Sequence, residues 1–388
     1  MRDRLFDAFE TIDDPASLLE FQLSLVDEIR AREPDAFAKK SRLAKEHVRL
    51  LRLLGDGLAW RYLDRYAIRQ LAKNPAPPPG LTGQGEGFEF TLETAREATD
   101  RGLPVLVADL THCLTIGDVI VCAVPGVPFI IECGSSPQFS QSGRKARQMK
   151  RAQAVGELLL EGKTTFPGAR HPTCSLEVST SAEHSWEVLD RVIGVAADQG
   201  ASSALATEGD LIFAVRTVDE SEIPALPEVD AMTSPMVATY TRVMDRPDLR
   251  VPPCVVWDVS AEARRLVFQG DVFVGHVVDL NGFVGRRSGD AEIVKLLGSE
   301  RAFEGFGVIA GDERHSVSPE FATDVLLGFA TVDSVAATIL EGVQLSAEVA
   351  EALLADEQPD EELAAALAAL TDEDGFVPPA RAAAAMDG

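Results

Sequence analysis

The sequence contains no apolar run that approaches the roughly 18 residues a membrane-spanning helix needs. Its N-terminal segment, MRDRLFDAFETIDDP, alternates charged and apolar side chains and lacks the apolar centre of a signal peptide. The five cysteines form no C-x-x-C pair, and none stands with a histidine at zinc-ligand spacing. These absences argue against a membrane protein and a zinc finger, and we expect a protein of the reducing cytoplasm.

Several catalytic signatures are also missing from the sequence. It has no G-x-S-x-G motif and no H-E-x-x-H motif, and it contains no internal repeat. The glycine-rich stretch at residues 80–87 carries no Lys-Ser/Thr pair and does not follow a predicted strand, so we interpret it as a flexible connector. The signatures of serine hydrolases, zinc proteases and P-loop proteins are therefore absent.

Basic residues are scarce, but the shortage is confined to one half of the chain. The net charge is −26, yet residues 1–170 hold 23 basic and 23 acidic side chains, and the remainder holds 13 basic and 39 acidic ones. Residues 141–170 are locally basic. An acidic protein repels nucleic acid, but a balanced first half with a basic segment permits such a partner. The acidic second half is explained equally by solubility, by a salty cytoplasm or by the exclusion of wrong partners.

Hydrophobic periodicity predicts that helices and strands alternate along the chain. Because Pro125-Gly126 supplies a turn, the two strands beside it are predicted to form a hairpin. The first part of the chain is predicted to contain helices at residues 3–32, 41–71, 91–100 and 144–160, and strands at 104–110, 118–124, 128–133 and 174–179. The second part is predicted to contain a helix at 186–197 and strands at 210–215, 254–258 and 272–278.

This order predicts an α/β protein with four regions. Residues 1–75 form N-terminal helices, the second of which is assigned either to this region or to the following core. Residues 76–180 form an αβββαβ core, and residues 181–345 form a second α/β region. Residues 346–388, an acidic and alanine-rich tail, are expected to be partly disordered.

Two acidic residues stand where the predicted hairpin brings strand ends together. Asp118 opens one strand, and Glu132 lies near the end of the next. Adjacent antiparallel strands place such residues at one edge of a sheet. Two carboxylates there make an oxygen site suited to Mg²⁺ or Mn²⁺, which bind few protein carboxylates and retain several waters.

At these residues the sequence resembles the PD-(D/E)xK nuclease superfamily, which has the restriction-endonuclease-like fold. The resemblance is carried by G-D-V-I-V (117–121), P-F-I-I-E-C-G (128–134) and the basic segment R-K-A-R-Q-M-K-R (144–151), within roughly residues 41–180. It implies a restriction-endonuclease-like αβββαβ core and a metal-dependent nuclease of DNA or RNA, of bacterial type, acting in defence or repair. Asp118 and Glu132 would then be catalytic metal ligands, and Glu46 a further ligand from a preceding helix.

The chain departs from this family pattern at Gly134, where the pattern has a lysine. A glycine can neither orient nor deprotonate the attacking water. Lys145 and Lys150 are the residues that could replace the lysine from the neighbouring helix, and His112, in the loop before Asp118, is either a ligand or general base or simply a solvated loop residue. The alternative is a catalytically inactive nuclease fold that binds nucleic acid or a protein partner.

The helix predicted at residues 144–160 presents polar side chains along one face. Arg144, Arg147, Gln148 and Arg151 are spaced at i, i+3, i+4 and i+7. Such a face is suited to binding the phosphates of nucleic acid, although a solvated amphipathic surface has the same pattern. The acidic second half is in turn a candidate surface for a protein partner.

Overall fold

The computed structural model describes residues 2–37, 41–72, 78–124, 127–133, 144–167, 173–174, 182–217, 226–240, 251–299 and 302–356. The chain forms two compact units. The first unit consists of Met1–Ser175 with Thr241–Gly270, and the second of Leu176–Tyr240 with Asp271–Gly388. Helices and antiparallel sheets occur in both, so the chain belongs to the mixed α/β class. Among the described residues, no helix combines the length and apolar character needed to cross a membrane.

The N-terminal part of the first unit is helical, as predicted, but each of the two long helices predicted there is divided. The helices are α1 (Arg2–Glu10), α2 (Pro15–Phe37), α3 (Arg42–Tyr62), α4 (Arg65–Leu71) and α5 (Glu86–Asp100). Asp14 accepts a hydrogen bond from Ser17 N at 2.7 Å, and Asp64 accepts one from Ala67 N at 2.6 Å. Each aspartate thus caps a new helix, and the predictions of single helices at 3–32 and 41–71 are wrong.

Three antiparallel strands follow in the order β1 (Val105–Val107), β2 (Val119–Val124) and β3 (Val127–Ile131). Val107 pairs with Val119, and Val119 pairs with Ile131, which confirms the predicted hairpin; its turn, Pro125-Gly126, lies outside the described residues. The edge strand β1 is held by the buried side chain of Gln22, which donates to Val105 O and accepts from Val107 N, both at 2.8 Å. A helix residue therefore satisfies backbone groups that an edge strand leaves unpaired.

Helix α6 (Arg144–Glu161) follows β3 and packs against it through a buried apolar side that includes Val155 and Leu158. The helix predicted at 144–160 is thereby confirmed. Two short strands, β4 (Lys163–Thr164) and β5 (Thr173–Cys174), pair with each other. Of the strand predicted at 174–179, residues 175–179 lie outside the described part of the chain.

The first unit is completed by a segment that the sequence placed in the second region. Residues 254–258, predicted as a strand, instead begin with a turn of 3₁₀ helix at Cys254–Val256, so that prediction is wrong. The preceding Pro252-Pro253 restricts the backbone, and Pro252 O accepts a hydrogen bond from Trp257 Nε1 at 3.1 Å. Helix α8 (Ala261–Gln269) then packs against α1.

The second unit contains two antiparallel sheets. Their strands are β6 (Ala201–Thr207), β7 (Asp210–Arg216), β8 (Pro235–Tyr240), β9 (Val272–Asp279), β10 (Arg287–Ser288), β11 (Ala291–Ser299), β12 (Ala302–Ala310) and β13 (Glu313–Val317). The first sheet has the strand order β6-β7-β9-β8 and is covered by helix α7 (Trp186–Gln199), and the second has the order β10-β11-β12-β13. The helix and the two remaining strands predicted here are confirmed.

Two helices end the described part of the chain. Helix α9 (Glu320–Gly328) packs on the first sheet and helix α10 (Val332–Asp356) on the second. The tail predicted to begin at residue 346 therefore starts inside α10, because its alanines and leucines favour a helix. Residues 357–388 lie outside the described part.

Candidate functional site

Asp118 and Glu132 lie at one end of the three-stranded sheet, directly before β2 and directly after β3. Val119 pairs with Ile131, so Asp118 and Glu132 are the residues that flank this last pair of the hairpin. The regular ladder ends there, and Asp118 N donates to Ile131 O at 2.9 Å. Both residues are half-buried. The structure therefore brings together the two carboxylates that the sequence singled out.

Each of these carboxylates also holds the backbone of the opposite strand. Asp118 Oδ2 accepts a hydrogen bond from Cys133 N at 2.6 Å, and Glu132 Oε1 accepts one from Gly117 N at 3.1 Å. The two bonds are reciprocal, because each acid bonds to the residue next to the other acid. This arrangement limits the rotation of both side chains, which is the kind of preorganisation that a binding site requires.

Gly117 makes this arrangement possible. Its φ is +86°, a backbone conformation that residues with a side chain rarely adopt, and an added Cβ would lie 2.5 Å from Ile130 Cγ2. Glycine thus lets the chain turn sharply into β2 while its N–H still reaches Glu132. The G-D pair noted in the sequence is therefore a structural requirement of the site.

The donor set of the site fits a small, hard cation. Two carboxylates are the usual protein contribution to a magnesium site, which completes its octahedron with waters and substrate phosphate. Among the described residues, no three His, Cys, Asp or Glu side chains form a group that could hold a metal ion. The structure therefore does not bring Glu46, a half-buried residue of α3, into one group with Asp118 and Glu132.

Cys133, which adjoins the site, does not alter this oxygen chemistry. Burial raises the pKa of its thiol above the ordinary value, and the neighbouring Asp118 and Glu132 act in the same direction. Its Sγ contacts Thr94 Oγ1 of α5 at 3.6 Å. A protonated thiol is a poor ligand and a poor nucleophile, so the donors available here are the carboxylate oxygens.

The predicted basic residues all lie on α6. Lys150 and Arg151 are exposed. Arg144, Lys145, Arg147 and Gln148 lie within the helix, but their side chains fall outside the described part. Because α6 packs against β3, the strand that leads to Glu132, the helix is anchored to the site-bearing sheet. Whether these side chains contact nucleic acid stays a prediction.

A second polar cluster in the same unit consists of Asp56 and His112, of which the sequence analysis indicated one residue. His112 Nδ1 lies 2.9 Å from Asp56 Oδ2, and Asp56 Oδ1 accepts hydrogen bonds from the backbone N–H groups of His112 at 2.6 Å and Cys113 at 2.9 Å. The sequence indicated His112 but not Asp56, which lies in the middle of α3. The signal for Asp56 was the Gly55-Asp56-Gly57 triplet, because glycines weaken a helix interior and mark close packing.

The close approach is visible at Gly55. A Cβ added to it would lie 2.0 Å from Leu110 O, in the segment that follows β1. This contact sets α3 directly against the loop that carries His112. Asp109, in the same segment, is mostly buried, and burial raises the pKa of its carboxyl above the ordinary value. The cluster thus lies between α3 and the loop that follows β1.

A third acidic and basic pair lies in the second unit. His276 Nε2 is 2.5 Å from Asp210 Oδ1, and His276 Nδ1 is 3.2 Å from Leu326 O. Asp210 is completely buried and His276 is 1% exposed. Since water and substrate do not reach these two side chains, the pair ties β7 and β9 to α9 and is a structural element of this unit.

Comparisons of the chain with protein-family models, with curated proteins and with solved structures find no match.

Proposed function

We propose that the first unit is a metal-dependent nuclease that hydrolyses phosphodiester bonds of DNA or RNA with Mg²⁺ or Mn²⁺ bound by Asp118 and Glu132. One observation carries this proposal: the two carboxylates lie at one end of the sheet, and each accepts a hydrogen bond from the backbone N–H of the residue next to the other. The site is half-buried, and its two carboxylates supply the hard oxygen donors that suit these cations.

The order of elements around the site supports the same reading. Helix α5, strands β1, β2 and β3, and helix α6 follow each other as an α-β-β-β-α series. This series agrees with the first five elements of the restriction-endonuclease-like core that the sequence resembles. Helix α6 also brings Lys150 and Arg151 to the surface of the unit, where they are available to phosphate groups.

Each group has a defined task in this reaction. The cation, when bound, neutralises the charge that grows on the phosphate and lowers the pKa of a bound water. Asp118 and Glu132 hold the cation, and their hydrogen bonds to Cys133 N and Gly117 N keep the carboxylates in position without a large loss of side-chain freedom on binding. The exposed Arg151 would bind a phosphate of the nucleic-acid backbone.

The alternative function is a catalytically inactive nuclease fold that binds nucleic acid. Two observations favour it. The family lysine is replaced by Gly134, and both carboxylates already stabilise the sheet by accepting backbone hydrogen bonds. On this reading Asp118 and Glu132 would be retained for the fold alone.

A cleavage assay distinguishes the two functions. The purified protein is incubated with Mg²⁺ or Mn²⁺ and with labelled single-stranded DNA, double-stranded DNA and RNA. We expect cleavage by the wild-type protein, loss of cleavage in Asp118→Asn and Glu132→Gln, and unchanged cleavage in Glu97→Gln, a control at an exposed residue of α5. If the wild-type protein and Asp118→Asn are equally inert on all substrates, the nuclease proposal fails.

A binding assay then tests the alternative. If the protein only binds nucleic acid, Arg151→Ala should weaken the association and reduce its salt dependence by about one released ion, while Glu132→Gln should leave both unchanged. Fluorescence anisotropy over a series of salt concentrations measures both quantities. An association that does not depend on salt would contradict phosphate binding by α6.

A further inference from the structure

Asp56 and His112, which we call the Asp56–His112 dyad, have the geometry of an oriented imidazole. Asp56 receives three hydrogen-bond donors: two backbone N–H groups and the Nδ1 side of the ring. Its carboxylate is 11% exposed, and the imidazole is 19% exposed. The acid is thus largely enclosed, while part of the ring reaches solvent.

These contacts determine which ring nitrogen carries the proton. A carboxylate can only accept hydrogen bonds, and Asp56 Oδ2 is the partner of His112 Nδ1. His112 Nδ1 is therefore the protonated nitrogen. In the neutral ring the lone pair then resides on Nε2, at the side away from Asp56. A buried acid that fixes the tautomer of a partly exposed histidine is the arrangement by which proteins prepare a general base.

The dyad lies at the same end of the sheet as Asp118. Ala108 N donates to Asp118 O at 3.0 Å, so the segment from Ala108 to Asp118 leaves the sheet and returns to it at one point. His112 lies within that segment, and Thr111 N bonds back to Ala108 O at 2.9 Å, which keeps the segment folded against the strand end. His112 and Asp118 are therefore borne by one short loop, and Glu132 follows the strand that pairs with β2.

We propose that His112 is the general base of the reaction assigned above to Asp118 and Glu132, with Asp56 as its positioning residue; this inference rests on the proposed nuclease function. His112 Nε2 takes a proton from the attacking water while the water oxygen forms a bond to phosphorus. The bond from phosphorus to the leaving oxygen breaks, and that oxygen takes a proton from solvent. His112 then returns its proton to solvent, so that one water is consumed for each bond cleaved.

Two isosteric variants separate this role from a purely structural one. In His112→Asn the side-chain amide stands where Nδ1 stands and still donates to Asp56, but no Nε2 is left. In Asp56→Asn the amide oxygen still accepts from the backbone, but the amide N–H₂ faces the ring and shifts the imidazole proton to Nε2. Both variants keep the contact between α3 and the loop, and both remove the lone pair on Nε2. The matched control is His315→Asn, at a histidine of β13 in the second unit.

Steady-state kinetics and ring-nitrogen NMR of the full chain give the test. We expect both variants to lower kcat by about 10²- to 10⁴-fold, the usual contribution of a general base, with KM and Mn²⁺ affinity unchanged. In histidine-labelled protein we expect the His112 proton on Nδ1 in the wild type and on Nε2 in Asp56→Asn. Addition of imidazole should partly restore the activity of His112→Ala.

Three results would overturn the inference, and they can be told apart. If the wild-type protein cleaves and His112→Asn cleaves equally well, the dyad is a structural clamp, while the nuclease proposal stands. If the wild-type His112 carries its proton on Nε2, the assigned tautomer is wrong. If the wild-type protein cleaves nothing, both proposals fail together.

Discussion

Replacement of Asp118 by asparagine and by alanine separates the two tasks of this residue. Asp118 Oδ2 accepts the Cys133 N–H at 2.6 Å, a charge-assisted hydrogen bond worth about 1.5–3 kcal/mol to the folded state. Asparagine keeps an oxygen at that position, and a neutral bond contributes about 0.5–1.5 kcal/mol. We therefore expect a loss of about 1 kcal/mol in the free energy of unfolding for Asp118→Asn, and of about 1.5–3 kcal/mol for Asp118→Ala.

The affinity for Mn²⁺ should follow a different order. Both variants remove one of two carboxylate charges, so we expect them to lose Mn²⁺ binding to the same extent, although their stabilities differ. If the carboxylate served the sheet alone, the wild-type protein would bind no Mn²⁺ here, and stability would be the single property that changes. A loss of Mn²⁺ affinity that is equal in both variants, despite their different stabilities, would therefore show that the carboxylate binds the metal.

Tryptophan fluorescence makes the stability measurement specific to the first unit. Trp60 and Trp257 belong to this unit, and Trp186 to the second. In a Trp186→Phe background, urea unfolding followed by fluorescence therefore reports on the unit that contains the site, and electron paramagnetic resonance measures free Mn²⁺. Equal stability of the asparagine and alanine variants, or Mn²⁺ binding by either, would refute this reasoning.

Three further predictions concern packing within the two units. Gly275→Ala should destabilise the second unit by about 1–3 kcal/mol, because the added Cβ would lie 2.0 Å from the ring of Phe213. Gly194→Ala, at an open position of α7, should stabilise it by about 0.5–1 kcal/mol; urea unfolding followed by the fluorescence of Trp186, the tryptophan of this unit, measures both. Burial raises the pKa of Cys122 to about 12, so iodoacetamide should modify this thiol slowly at pH 9 in the native protein and rapidly in urea; fast native modification would contradict its burial. Glu33→Ala should lower the free energy of unfolding by about 3–5 kcal/mol, because it leaves the buried Arg52 without its acidic partner. A loss below about 1 kcal/mol would show that solvent reaches the Glu33–Arg52 pair.

The Cys122 thiol also gives a stability change with a defined sign. The unfolded chain loses this proton near pH 9, while the folded chain keeps it up to about pH 12. Between these values the unfolded state binds fewer protons, so the contribution of this group to stability falls as the pH rises. Cys122→Ser should reduce the slope of stability against pH in that window, as measured by urea unfolding at a series of pH values.

The sheet and its acid pair could be predicted because they depend on local patterns. Alternating apolar residues on both sides of Pro125-Gly126 specify the hairpin, and the register of a hairpin follows from its turn. Since Val119 pairs with Ile131 in that register, Asp118 and Glu132 come to lie at the same end of the hairpin. The helix at 144–160 was equally accessible, because its apolar residues recur with a helical period over many turns.

The features that sequence reasoning missed depend on competition or on distant contacts. Asp14 and Asp64 interrupt apolar stripes that continue on both sides of them. Because each aspartate caps a new helix, the chain forms two helices where the hydrophobic period predicted one. The β-branched run after Pro253 resembles a strand, but the run turns as a 3₁₀ helix instead. Asp56 and His112 are separated by 56 residues, and no local pattern connects a helix interior with a loop.

The claim that Asp118 and Glu132 form a metal site is tested most directly by diffraction from crystals soaked in Mn²⁺. Data collected near the manganese absorption edge locate the ion without reference to any activity. We expect one anomalous peak within about 2.0–2.3 Å of oxygens from both carboxylates, and no peak there in Asp118→Asn. A fully occupied ion elsewhere, or two carboxylates that bind only the backbone at saturating Mn²⁺, would contradict it.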